Sequence, residues 1–212
     1  MKIAILGAQR TGKTQLTQAL SVQLQPQYPD VTCLPDCLQL WGQAQGRQPQ
    51  AAELSVIAAE HQRQTDTQTE EHMPLVLCDS APLMAAVYSD LLYGDTSLYA
   101  SAIAHHKRFG MTLVTGLDLA NTGTDSPIGS ATVCAREQVT RRLRDTLQQH
   151  GITYSMVYGT GKARTESALQ AILYAMGKPR SSVPRSNWQW PCEKCSDPDC
   201  EHRLFVDLIK GG

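Results

Sequence analysis

No stretch of this sequence is apolar for anything approaching the roughly 20 residues that cross a bilayer. Nor does it open on a signal-peptide pattern, since Met1-Lys2 runs straight into Ile3-Ala4-Ile5-Leu6. These two absences predict a soluble, cytoplasmic protein with no membrane partner. Charge of one sign is lacking too. Lys and Arg number 19 against 20 Asp and Glu, so there is no global basic field and nucleic acid is not the expected partner. Glutamine is plentiful but spread along predicted helices, which leaves no low-complexity tract. Length is not lacking: 212 residues suffice for one α/β domain with a full core and a small appendage.

What is there is organised around Gly7-Ala8-Gln9-Arg10-Thr11-Gly12-Lys13-Thr14, which fits G-x-x-x-x-G-K-[ST] between an apolar strand and a helical pattern. The expectation is a phosphate-binding P-loop. Gly7 and Gly12 let the backbone turn so that its N–H groups approach phosphates. Lys13 adds a point charge, the Thr14 hydroxyl is placed to hold Mg²⁺, and the helix that follows aims its positive end at the same anion. A nucleoside triphosphate, read as ATP, is the implied ligand.

The rest of the chain alternates strands with helices. Leu16, Ala19, Leu20 and Leu24 have helical spacing up to Pro26, and Val31–Leu34 reads as a strand ending at Pro35-Asp36. A helix is predicted from about Ala51 to Glu71. The strand Leu75–Cys78 follows and ends in Asp79, a Walker-B-like arrangement in which the acid holds Mg²⁺ directly or through water. The competing role of Asp36 and of Asp79 is to cap the next turn or helix. Helices are expected over Pro82–Leu92 and Ser97–Arg108, then strand Met111–Thr115. Residues 116–131 have little periodicity and read as a loop serving as a lid or a mobile binding segment. Arg136 follows it, opening a helix with Val139, Leu143 and Leu147 on one face. There its guanidinium is placed to reach a transferring phosphoryl group. Strand Thr153–Tyr158, the Gly159–Lys162 turn and helix Arg164–Met176 complete an α/β fold: a P-loop NTPase of nucleoside/nucleotide-kinase type, with five parallel strands and helices on both faces.

Residues 1–177 thus form the P-loop domain and 178–187, rich in Ser, Pro and Arg, a linker. Residues 188–212 form a tail carrying Cys192, Cys195, Cys200 and His202. Seven cysteines are an odd count, and three fall within the last 21 residues, so a metal site is a stronger reading than a disulfide framework. Three thiols and an imidazole supply the four ligands that Zn²⁺ takes in a closed site. Cys200-x-His202 is a tight second half that needs a sharp turn; otherwise another ligand completes the set. Free thiols, a redox pair and an iron–sulfur ligand set remain alternatives. The neighbourhood is acidic (Glu193, Asp197, Asp199, Glu201), which favours a structural role over contact with single-stranded nucleic acid.

Over about Lys2–Met176 the sequence resembles the NadR/AAA-type ATPase–kinase family, which includes ribosylnicotinamide kinase domains. The resemblance rests on the loop, on Asp36 to Arg47 with its Trp-Gly, on Ile57-Ala58-x-x-x-Gln62, on Asp79-Ser80-x-x-Leu83 with Val87-Tyr88-Ser89, and on Tyr154–Gly159. It implies transfer of a phosphoryl group from Mg·ATP to a small nucleoside-like acceptor. By position it implies Asp36 near the acceptor hydroxyl, Asp79 at the Walker-B-like strand end and Arg136 facing phosphate. Two departures bear on the acceptor. Relatives' acid-aromatic-Ala-Arg run is Asp36-Cys37-Leu38-Gln39 here, and the lid motif is reduced to Asn121–Gly129 with Asp125. The other reading is an ATPase or nucleotide-dependent switch whose zinc tail docks a protein partner. It needs the same loop and Mg²⁺ acid but no acceptor pocket. Five histidines, His61, His72, His105, His106 and His150, receive no role and are read as surface or satisfied core residues.

Overall fold

The computed structural model describes residues 1–70, 75–119 and 136–177. The body of the expected lid, the linker and the tail with Cys192, Cys195, Cys200 and His202 lie outside the described residues.

The first strand, β1 (Lys2–Leu6), is buried along its whole length, as a central parallel strand covered on both faces must be. Side-chain alternation splits it between two cores. Ile3 and Ile5 join Leu16, Leu20 and Leu24 of α1 (Lys13–Leu24) and Ile172 of the helix Gly161–Ala175, whereas Ala4 and Leu6 face other helices. Each fully buried Leu or Ile here stabilises by about 1.5–3 kcal/mol.

In chain order the other elements are β2 (Thr32–Leu34), α2 (Cys37–Gln45), α3 (Ala51–Glu70), β3 (Val76–Asp79), α4 (Pro82–Tyr93) and α5 (Tyr99–His106). They are followed by β4 (Met111–Thr115), α6 (Arg136–Gln149), β5 (Ser155–Val157) and α7 (Gly161–Ala175). The five strands are ordered β2-β3-β1-β4-β5 and every pairing is parallel, so the α/β P-loop architecture expected from the sequence is the one observed. In such a sheet all strands end at one edge, where ligands bind. Adjacent carboxyl ends therefore bring together Asp36 (after β2), Asp79 (β3), the Gly7–Thr14 loop (β1) and Thr115 (β4).

Local chemistry sets the helix ends. Pro82 opens α4 at the first helical position, where its missing N–H costs nothing, and Gly94 closes it at φ 66°. In α6, Val139, Leu143 and Leu147 bury one stripe, and the arginines lie on the other faces. Beyond the first turn, Arg142 pairs with Asp90 of α4 at 2.5 Å and Arg144 donates to the Tyr154 hydroxyl.

At the opposite, amino edge of the sheet the histidines depart from expectation. His61, His105 and His106 are all buried, and His61 Nε2, His105 Nδ1 and His106 Nδ1 have no hydrogen-bond partner among the described residues. His106 Nε2 lies 2.9 Å from Thr112 Oγ1 and its ring stacks on Phe109; His105 Nε2 lies 3.3 Å from Asp66 Oδ1, which also pairs with Lys2 and Arg108. Burial lowers all three histidine pKa values, to about 4 for His61 and His106.

Candidate functional site

The loop's geometry follows from two backbone positions that a side chain would spoil. Gly7 has φ 149° and a Cβ there would stand 2.0 Å from Thr115 Oγ1; Gly12, at φ 74°, caps α1. Arg10 also takes a positive φ, 56°, the cost of which is borne by the turn. Thr11 fastens the loop internally and to the sheet: its hydroxyl donates to the Ala8 carbonyl at 2.8 Å and lies 2.6 Å from Thr115 Oγ1. Thr115 in turn donates to the Leu6 carbonyl. Gln9 and Ala8 complete the turn, Ala8 accepting from the buried Lys13 ammonium at 3.2 Å.

Thr14 Oγ1 donates to Asp79 Oδ2 at 2.5 Å, and Asp79 Oδ1 is buried with no hydrogen-bond partner among the described residues. Burial pushes the Asp79 carboxyl up from its ordinary value; Thr14 and Lys13 pull it down, and the nearby Asp36 pushes it up again. Asp36 is raised by burial as well, opposed by Lys13, by the Gln39 and Leu38 N–H groups and by Ser80. Two acids around one lysine leave the pocket short of positive charge, and one carboxylate oxygen lacks a partner. Hydroxyl and carboxylate oxygen are the hard donors Mg²⁺ takes, and so Thr14 and Asp79 fit that ion.

Asp36 does what its competing role demands. Its Oδ1 accepts from the Leu38 and Gln39 N–H groups at 2.9 and 3.3 Å and caps α2. It nonetheless sits within electrostatic reach of Lys13 and Asp79. Arg136, half-buried at the start of α6, donates from both Nη atoms to the Leu119 carbonyl at 3.2 Å, and its Nε has no partner among the described residues.

Three residues of the site received no role from the sequence. Ser80 follows Asp79 at φ 84° and its N–H is held by the Ile5 carbonyl. Thr115 and Arg164 reach the loop from sequence distances of 104 and 153 residues; Arg164 Nη2 donates to the Thr11 carbonyl at 2.7 Å. A polar residue ending an apolar strand was the one available signal for Thr115. Arg164 gave none, reading as an ordinary helix cation.

A family model described as an AAA domain matches residues 2–164. Among solved structures, a NadR protein in complex with NAD and AMP-PNP aligns with a TM-score of 0.65 at 13% identity, over 84% of this chain and 50% of that one. A NadR protein in complex with NR gives 0.66 at 14% identity with the same coverage. Thymidylate kinase from Ehrlichia chaffeensis gives 0.57 at 12% identity, over 83% of this chain and 98% of that one. At these identities the similarity is one of fold, and the chain spans about half the length of the NadR chains it matches. No curated protein matches the sequence. Among the described residues, no helix is long and apolar enough to cross a membrane.

Proposed function

This chain belongs to the AAA-domain family, and from that premise we propose that it transfers a phosphoryl group from Mg·ATP to a small nucleoside-like acceptor, in the manner of a ribosylnicotinamide kinase. The observation that carries the reading is the Thr14–Asp79 pair at 2.5 Å with Asp79 Oδ1 left buried and unpartnered beside Lys13 and Asp36. The bound Mg²⁺ would neutralise phosphate charge and help align the phosphates for in-line attack.

The chain's own residues supply the rest. Loop N–H groups and Lys13 hold the phosphates, and Arg136, from the start of α6, meets charge developing on the transferred group. Asp36 orients the acceptor hydroxyl or takes its proton, using the oxygen that does not cap α2. The NadR structures, one with NAD and AMP-PNP and one with NR, support a nucleoside-like acceptor by fold analogy.

The capping duty of Asp36 favours one second reading, an ATPase or nucleotide-dependent switch that needs no acceptor base and whose tail docks a protein partner. ATP turnover measured without acceptor and with a panel of nucleosides separates the two. Stimulation by one nucleoside, with that nucleoside recovered phosphorylated, supports the kinase; turnover indifferent to every nucleoside sinks it.

The division into a domain over 1–177, a linker over 178–187 and a Zn²⁺-binding tail over 188–212, with Cys192, Cys195, Cys200 and His202 as ligands, belongs to the same proposal. Elemental analysis of the full chain should find one zinc, lost from a Cys192→Ser/Cys195→Ser variant. Metal-free protein after purification with zinc present would end that part of it.

A further inference from the structure

Beside the loop, a cavity of about 370 Å³ opens between α1 and the start of α7, lined by Gly12, Gln15, Leu119, Lys162 and Arg164 among others. No carboxylate lines it among the described residues. Lys162 is well exposed and pairs with Glu166 along α7. Arg164 is different. Only 4% of it is exposed, its Nη1 lies 3.3 Å from where a Cβ on Gly12 would stand, and its Nε is buried with no acceptor. Its one side-chain hydrogen bond within the described residues is donated by Nη2 to the Thr11 carbonyl.

A guanidinium offers five N–H donors, and burying that charge with a single bond accepted is costly unless an anion completes the set. The acid that bears on Arg164 electrostatically is Asp118, and one of its oxygens is already taken by the Gly159 N–H. Two other cations of the site already have duties in the phosphoryl-transfer reading above: Lys13, beside Ala8 and the two acids, holds phosphate, and Arg136, against Leu119, meets the transferred group. Position separates their duties. Asp36 and Asp79 approach the loop from the β2 and β3 side of β1, whereas α7 follows β5, at the other edge of the sheet.

We propose that Arg164 binds the non-transferred phosphates of the nucleotide, held in place by the Thr11 carbonyl so that its remaining donors face the Gly12–Gln15 end of the cradle. The inference rests on the nucleotide-binding reading above and adds a contact made from the last helix. Because the contact lies away from the acid pair, it acts on binding and leaves the chemical step alone: ATP and ADP feel it equally, and so does a polyphosphate without a base.

The test is calorimetric titration of the full chain with ATP, ADP and inorganic tripolyphosphate in Mg²⁺, for wild type, Arg164→Met and Arg164→Lys, with unliganded melting recorded in parallel. Loss of a charged hydrogen-bonding contact predicts about 10–100-fold weaker binding of all three ligands to Arg164→Met. Partial recovery is expected in Arg164→Lys, which keeps a charge and a donor for Thr11 but loses the fork. In turnover, Arg164→Lys should show a raised KM for ATP at unchanged kcat. If Arg164→Met melts lower yet binds all three ligands as wild type does, Arg164 is a structural staple and the inference fails. Weakened ATP binding with tripolyphosphate binding unchanged overturns it in favour of a base contact. Wild type that binds none of the three refutes the nucleotide reading itself, a result distinct from either.

Discussion

Replacing Gly7 by alanine tests the loop's attachment to the sheet at its tightest point. The new Cβ would stand 2.0 Å from Thr115 Oγ1 and 3.0 Å from Thr11 Oγ1, at a backbone φ of 149°. Strain at such a φ costs about 1–3 kcal/mol. The clash must also push Thr115 off the Leu6 carbonyl and Thr11, at about 1 kcal/mol for each bond lost. The sum is about 3–5 kcal/mol, roughly 10 °C in melting temperature for a domain of this size. A double-mutant cycle makes the argument specific. Thr115→Ala alone loses the same two bonds, about 1–2 kcal/mol, but in the Gly7→Ala background it removes the obstructing atom. The double variant should then be more stable than the sum of the single losses predicts, by about 1–3 kcal/mol. Thermal and urea unfolding of the four proteins measure this. Gly7→Ala melting within about 2 °C of wild type, or a cycle additive within about 0.5 kcal/mol, refutes the close approach.

Three further outcomes follow from the site and the core. Asp36→Asn keeps an oxygen to cap α2 and should melt within about 1 kcal/mol of wild type while losing acceptor-dependent turnover, and Asp36→Ala should also lose about 1 kcal/mol as the cap goes; full activity in Asp36→Asn would remove Asp36 from the chemistry. Asp79→Asn removes one of two acids that burial already penalises, so unfolding experiments should show stability unchanged or raised. Mg²⁺ titrations of turnover should show it at least about 10–100-fold less responsive to the ion, and an unaltered Mg²⁺ dependence would exclude Asp79 from the metal. Stability should fall as pH drops from about 6.5 towards 4, because unfolded His61 and His106 take up protons that their folded forms, lowered to about 4, refuse. Each adds up to about 1.4 kcal/mol per pH unit, while Asp36 and Asp79, raised by burial, work in the opposite sense. His61→Leu should flatten the slope in urea unfolding across that range, and an equal slope would show that His61 does not contribute.

How much of this was legible depended on how local each feature is. Strand β4 falls at Met111–Thr115 as read, because Gly110 and Gly116 bracket it and four of its five residues are buried. The edge strand β5 is shorter than its apolar run: it pairs with β4 alone, and only Ser155–Val157 of Thr153–Tyr158 reaches that partner. Helix α7 begins three residues early, at Gly161, because the Gly159–Lys162 turn folds into its first turn. The loop and Asp79 were readable from the eight-residue pattern and from a strand ending in an acid. Asp36 was readable as a strand-end acid, with its capping role held open beside the catalytic one. Thr115 and Arg164 were not, since nothing in a linear chain says which strand ends lie side by side. The histidines were read as surface or satisfied core residues, whereas the fold buries His61, His105 and His106 near one another, each with one ring nitrogen unpartnered among the described residues.

The hydrogen bond from Arg164 to Thr11 joins the first turn of α7 to the Gly7–Thr14 loop, across 153 residues. During synthesis at about 5–20 residues per second, the Gly7–Thr14 turn leaves the ribosome many seconds before its final partner. A nascent chain can therefore form β1 and α1 early while the loop still lacks Thr115 and then Arg164. If Arg164 makes the proposed phosphate contact, full affinity for nucleotide would arrive only once α7 has packed against the loop, and ligand binding would then report completion of this fold.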